Sequence, residues 1–191
     1  MPMMISLKKM MAIGLLFFVT TGVAQAQSDK EAGREEVRQS TKAILKELYE
    51  VQPSAKKAVE SAAGYAVFSN FGMKILFAGG GTGHGMAVDR ASKKETFMKM
   101  LEVQAGLGMG IKSFKAVFVF QHKKALDNFI NSGWEASAQT SVAAIDGDQG
   151  MALQGAIIVS PGVWVYQITD QGLALDATLK GTKYYKNDEL N

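Results

Sequence analysis

The chain has 191 residues, of which 47% are hydrophobic and 20% charged, and this composition predicts one globular domain rather than a disordered protein. It has no cysteine and only two histidines, which excludes disulfide scaffolds, thiol nucleophiles and cysteine-based zinc sites. The formal net charge is +3, and it falls to +1 without residues 1–26, so the overall charge does not indicate a nucleic-acid-binding protein.

The first 26 residues have the pattern of a secretory signal peptide. Two lysines, Lys8 and Lys9, precede an apolar run over residues 10–23, which is shorter than the ~20 residues that span a bilayer. An A-x-A cleavage motif ends at Ala26. Cleavage there would leave 19 basic and 18 acidic residues, a net charge of +1. We therefore expect a periplasmic or otherwise exported protein; the alternative is an uncleaved N-terminal anchor.

Two helices are predicted after the cleavage motif. Residues 27–51 carry apolar side chains at helical spacing and many charges, which predicts an amphipathic helix that Pro53 ends. A shorter helix is predicted to follow, with Ser54 as its N-cap and Gly64 as its C-cap.

Strands dominate the rest of the chain. The predicted strands cover residues 65–71, 74–78, 86–90, 96–104, 114–121, 136–145 and 173–180, together with two segments on either side of a Pro161-Gly162 turn. Residues 114–121 are nearly all apolar, which predicts a central strand covered on both faces. A short helix over residues 122–131, closed by Gly133, interrupts the series.

These patterns predict an α+β fold, with N-terminal helices packed on a curved, mostly antiparallel, barrel-like sheet of about seven or eight strands. The predicted organisation is a signal peptide over residues 1–26, an amphipathic helix over 27–53 and one α+β domain over 54–191.

A glycine cluster, GGGTGHG, occupies residues 79–85. Its spacing matches neither the dinucleotide-binding fingerprint nor the P-loop. One interpretation is a glycine-lined strand pair, against which another backbone or a bulky side chain packs closely. The other is an anion site, in which the backbone amides of Gly80, Gly81 and Gly83 contact the anion. His84 lies in the cluster with no ligand-type residue at metal-binding spacing, so we expect an ordinary structural or surface histidine.

The chain contains no recognisable catalytic or metal-binding motif. The sequences H-E-x-x-H and G-x-S-x-G do not occur. The segment DGDQG at residues 146–150 lacks the later glutamate of a calcium loop, and we interpret it as a turn. We therefore expect a protein that is not an enzyme and that uses no metal or cofactor.

Basic residues recur every four positions along the first predicted helix, beside its apolar stripe. A helix lying on an anionic membrane has this arrangement. The alternative is a helix packed on the core, with an ion-paired outer face. The candidate lipid-binding residues are Arg34, Arg38, Lys42, Lys46, Lys56 and Lys57.

Several segments together resemble the SYLF lipid-binding domain. They are AGYAVF at 63–68 followed by the glycine cluster, GLGMGIKSFKAVFVFQ at 106–121, KALDNFINSGWEASAQTSVAA at 124–144 and GLALDATLKGTKYYKN at 172–187. The resemblance covers about 70% of the chain. It implies a binding protein without catalytic residues, and for bacterial members an exported protein for which lipid binding is the usual proposal.

The hypothesis is therefore a non-catalytic lipid-binding module of the bacterial envelope, whose partner is an anionic phospholipid or membrane surface rather than nucleic acid. Two alternatives stay open. The curved sheet could enclose a small apolar ligand, as in a soluble carrier, or the protein could bind an envelope protein partner.

Overall fold

The computed structural model describes residues 7–75, 78–105, 110–135, 154–170, 172–174 and 182–191, with side chains over 27–70, 80–102, 113–134, 154–170, 172–174 and 182–191. The predictions for residues 136–145, 146–150 and 175–180 lie outside the described residues.

The described residues form three helices: α1 spans Leu7–Val51, α2 spans Ser54–Ser61 and α3 spans Lys123–Ser132. The end of α1 before Pro53 agrees with the prediction, because proline disfavours the helical conformation in the residues before it. In the part of the chain that the structure describes, no helix combines the length and the apolar character needed to cross a membrane.

Both predicted caps of the second helix are wrong. Pro53 occupies the N-cap position, and Ser54 lies in the first turn, where its hydroxyl accepts a hydrogen bond from the side-chain amide of Gln52 at 2.7 Å. The C-cap is Ala62, and Gly64 is already the first residue of a strand. Glycine is required at residue 64 for packing, because a Cβ there would lie 2.6 Å from the backbone carbonyl oxygen of Val88.

Within the described ranges, nine strand segments form one antiparallel sheet. They are β1 Gly64–Ile75, β2 Ala78–Asp89, β3 Glu95–Ala105, β4 Gly110–Phe120, β5 Trp134–Glu135, β6 Ile157–Ser160, β7 Val163–Thr169, β8 Gly172–Ala174 and β9 Thr182–Lys186. Their order is β5-β9-β3-β2-β1-β4-β7-β6, with β8 paired to β7. Seven of the nine have four residues or more, and the sheet is curled, so the predicted fold class and strand number are confirmed.

The glycine cluster lies inside a continuous strand, and the predicted break between strands at residues 79–85 is wrong. Strand β2 pairs along its length with β1 on one side and β3 on the other. A Cβ at Gly85 would lie 2.1 Å from the carbonyl oxygen of Val67, and one at Gly83 would lie 2.4 Å from that of Ser69. The glycines therefore allow close packing between β1 and β2, as the first interpretation of the cluster expects.

The sheet is the middle layer of the molecule, with one hydrophobic core on each face. We call the face that carries Val117 and Val119 the outer face; α1 and α2 cover it. The opposite face, which carries Phe118 and Phe120, is the inner face, and α3 covers it. All four of these β4 side chains are at most 1% exposed. The predicted central strand is thus buried on both sides.

Candidate functional site

The two arginines of the basic stripe are held by groups of the protein itself. Arg38 donates from Nη1 to Glu31 and from Nε to Glu95, both at 2.8 Å. These hydrogen bonds raise the pKa of Arg38 above its ordinary value and lower that of the Glu31 carboxyl. Arg34 donates from Nε to the backbone oxygen of Leu190 at 2.7 Å.

Both guanidinium groups also lie over the ring of Phe97 on β3. The distances from the guanidinium carbon to the ring centroid are 5.7 Å for Arg34 and 5.5 Å for Arg38, within the range of cation–π contacts. Because their partners lie on β3 and on the residues after β9, these two side chains fasten α1 to the sheet.

The four lysines of the predicted site are in a different situation. Lys42, Lys46, Lys56 and Lys57 are all exposed. Lys46 lies 3.9 Å from Glu50, and both side chains of that pair are mostly in solvent. Within the part of the chain that the structure describes, no carboxylate lies within ion-pair distance of the other three. These lysines are therefore available to an external anion.

The apolar stripe of α1 packs against the sheet. Val37, Ile44 and Leu48 are 8%, 4% and 0% exposed, and they contact the outer face or the edge beside it. This part of the helix is thus docked on the sheet, and these three apolar side chains are already buried.

The three glycines proposed as anion contacts lie within the sheet. Gly81 stands opposite Gly72 and Glu102, and Gly83 opposite Asn70 and Met100. Gly80 is similarly placed between β1 and β3. Backbone amides in an internal strand take part in ladder hydrogen bonds. Anion contact at these glycines stays a prediction, and it would require amides beyond those of the ladder.

A groove of about 500 Å³ separates α1 from part of the outer face. Val37, Ile44 and Val67 supply its apolar surface. Lys99 lines one side and makes an ion pair with Glu189 at 2.7 Å. The remaining polar groups in the lining include Glu36, Ser40, Thr41, Ser69, Thr82 and His84. The groove can hold a small ligand of mixed polar and apolar character.

Sequence reasoning missed a buried carboxylate on the inner face. Glu102 is 3% exposed and accepts a hydrogen bond from the side-chain amide of Asn70 at 2.5 Å. A signal was present, because Met98, Met100 and Glu102 alternate on one face of a predicted strand, and two methionines mark that face as buried. Among the described residues, no group of three acidic or histidine side chains could hold a metal ion.

Two comparisons with known proteins agree with one another. Residues 101–191 match the model of the Ysc84 family, which is described as "Las17-binding protein actin regulator". The chain is also similar to beta cell expansion factor A from Aeromonas veronii, at 36% identity over 143 residues, which are 75% of this chain and 53% of that protein. The chain thus spans about half the length of the curated relative it matches.

Proposed function

Since the chain belongs to the Ysc84 (SYLF) family, whose members are non-enzymatic binding domains related to lipid binding and actin regulation, we propose that it is a non-catalytic lipid-binding module of the bacterial envelope. It contacts anionic phospholipid headgroups through basic side chains of α1 and α2, after export and removal of residues 1–26. An envelope protein partner is the alternative role for the same surface.

The exposed lysines carry this proposal. Lys42, Lys46, Lys56 and Lys57 lie on two consecutive helices, and their ammonium groups are in solvent. A lysine near an anionic membrane surface contributes about 1 kcal/mol of binding free energy. Arg34 and Arg38 keep α1 on the sheet instead of contacting lipid. Because the chain without residues 1–26 has a net charge of only +1, we expect weak binding that salt reduces.

The test is co-sedimentation of the protein with phosphatidylglycerol vesicles and with neutral phosphatidylcholine vesicles over a salt series. The double variant Lys42→Glu/Lys57→Glu should lose binding to the anionic vesicles. The matched control is Lys124→Glu/Lys183→Glu, which makes the same change in net charge at exposed lysines elsewhere. Equal loss in both variants, or binding to neutral vesicles as strong as to anionic ones, would refute the proposed lysine surface.

The groove beside α1 favours a second candidate function, that of a soluble carrier. Its volume of about 500 Å³ is within the range of small-molecule sites. A carrier would copurify with its ligand in stoichiometric amount, which mass spectrometry of a solvent extract would detect. Filling the groove from an exposed lining residue, as in Thr82→Trp, would then abolish copurification, whereas the lysine variants would leave it unchanged.

A further inference from the structure

A second cleft, of about 630 Å³, opens at one end of the sheet, between α1, α3, the β2–β3 turn and the residues after β9. Positive charge dominates its lining. The six cationic side chains are Arg34, Arg38, Lys93, Lys94, Lys123 and Lys186. The three acidic ones are Asp89, Glu95 and Asp127. The side chains around the cleft therefore carry a net charge of +3.

The three acidic groups of the cleft are all ion-paired, and two of the cations account for these pairs. Lys123 contacts Asp89 at 2.9 Å and Asp127 at 2.8 Å, while Glu95 accepts from Arg38 at 2.8 Å. The other three lysines, Lys93, Lys94 and Lys186, are exposed. Lys186 donates only to the neutral side-chain oxygen of Asn131. In the described ranges, no carboxylate is paired with any of the three. An excess of uncompensated charge thus faces the cleft.

The backbone at Lys93 is strained. Its φ is +60°, and no other described non-glycine residue has a positive φ. Residues other than glycine rarely adopt this backbone conformation, and such strain concentrates where a residue serves a function. The turn is held rigidly around it, because the Asp89 carboxylate accepts from the amides of Ala91 at 2.9 Å and Ser92 at 3.1 Å. A glycine would fit residue 93 better, yet a lysine is present there.

We propose that this cleft binds an anion that carries at least two negative charges on phosphate groups, such as pyrophosphate or a phosphomonoester headgroup. Lys93, Lys94 and Lys186 donate to the phosphate oxygens through charge-assisted hydrogen bonds. The two arginines lie in the same lining above Phe97 and are paired with Glu31 and Glu95, so the unpaired charge of the cleft comes from the three lysines. This site is distinct from the lysine surface of α1 and α2, and it does not depend on membrane association.

The primary test is calorimetric titration of the protein with inorganic pyrophosphate. We expect the unmodified protein to bind pyrophosphate. In Lys93→Gly the affinity should be weaker by a factor of about ten or more. Without ligand, Lys93→Gly should unfold at the same temperature as the unmodified protein or higher, because glycine relieves the strain at φ +60°. Lys93→Arg should retain binding. The control is Lys124→Gln, an exposed lysine of α3 outside the cleft.

Two results would overturn the proposal. One is no binding of pyrophosphate by the unmodified protein at concentrations up to about 10 mM. The other is equal affinity in Lys93→Gly and in Lys124→Gln. A lysine with a merely structural role at residue 93 would not combine unchanged or increased stability with lost affinity.

Vesicles identify the source of the anion. If pyrophosphate displaces the protein from phosphatidic acid vesicles, the cleft takes a lipid phosphomonoester. If pyrophosphate binds and vesicle association is unaffected, the cleft takes a soluble anion; both results support the site. The lysine surface is tested separately by phosphatidylglycerol, a phosphodiester, so either proposal can fail while the other holds.

Discussion

At the scale of single residues, glycine lets two polar side chains meet across an intervening strand. Asn70 on β1 stands opposite Gly83, and Glu102 on β3 stands opposite Gly81. Because β2 carries no side chain at these two positions, the Asn70 amide reaches the Glu102 carboxylate over it. A side chain on β2 would occupy that space, so the glycine cluster and the buried carboxylate depend on one another.

The closest approach in the cluster predicts which glycine is least replaceable. In Gly85→Ala the new methyl would lie 2.1 Å from the Val67 carbonyl oxygen and 2.4 Å from the ring of Phe68. We expect a loss of about 2 kcal/mol or more of unfolding free energy, because β1 and β2 must separate. Urea denaturation measures it. In the control Gly80→Ala the nearest atom is at 3.3 Å, and an equal loss there would contradict the explanation.

A second residue-scale prediction concerns acid. The Lys123 ammonium and the amides of Ser92 and Ala91 lower the pKa of Asp89 from 3.8 to about 2. The unfolded chain therefore takes up this proton at a higher pH than the folded protein does. Stability from Asp89 is fully present above about pH 5 and is lost as the pH falls towards 2.

Asp89→Asn keeps the oxygen that caps the turn but removes the charge. Its free energy of unfolding should fall less between pH 5 and pH 3 than that of the unmodified protein, as measured by urea denaturation at each pH. If the free energy of unfolding falls equally with pH in the two proteins, Asp89 does not contribute to the acid dependence of stability.

At the scale of elements, local signals were predictable and long-range ones were not. The end of α1 depends on nearby Pro53, and the buried strand β4 on its own apolar run; both were predicted. The sequence predicts a break in strand β2 at its glycines, whereas the strand is continuous. Its pairing with β1 and β3, rather than its own residues, makes it a strand there. Four-residue spacing placed Arg38 on the same stripe as the lysines. Its partner Glu95 is 57 residues away, so the sequence could not separate paired from free cations.

The family resemblance did not depend on those contacts and is confirmed, because it rested on the order of several motifs. The cleft at the end of the sheet was not predicted. Its lysines come from a turn, a helix and a strand end that are far apart in the sequence.

The segment after β9 fastens residues 30–37 of α1 to the sheet. Leu190 packs against Val37, and its backbone oxygen accepts from Arg34 at 2.7 Å. The side chain of Asn191 bonds both backbone groups of Phe97, accepting from N at 3.0 Å and donating to O at 2.7 Å. The Asn191 side chain thereby pairs with Phe97 of β3 in the way that a neighbouring strand would.

Removing residues 188–191 should therefore loosen α1 unequally. We expect faster amide hydrogen exchange over residues 30–37, which lose their contacts with this segment. Residues 43–50 should keep their protection, because Ile44 and Leu48 pack on the outer face independently. Mass spectrometry of peptides from both halves measures the difference. Equal change in the two halves, or no change in either, would contradict the assignment.

At the scale of the whole molecule, the two cores share their central strands. On β4, Val117 and Val119 belong to the outer core and Phe118 and Phe120 to the inner core. Loss of β4 would expose both cores at once. Since each core also has its own covering helices, separate unfolding of the layers is the alternative to a single cooperative transition.

The chain has two tryptophans, and each reports on one core. Trp134 packs among the inner aromatic rings, at 5.5 Å from Phe118, while Trp164 is 6% exposed in the outer core. The variants Trp134→Phe and Trp164→Phe leave one reporter each and keep an aromatic ring at the altered position. Because β4 links the layers, the fluorescence of each variant should change at the same urea concentration as its own circular dichroism. Trp134 is the reporter in Trp164→Phe. If its fluorescence changes at a lower urea concentration than the circular dichroism of Trp164→Phe, the inner core unfolds first. The two cores would then unfold less cooperatively than their shared strands imply.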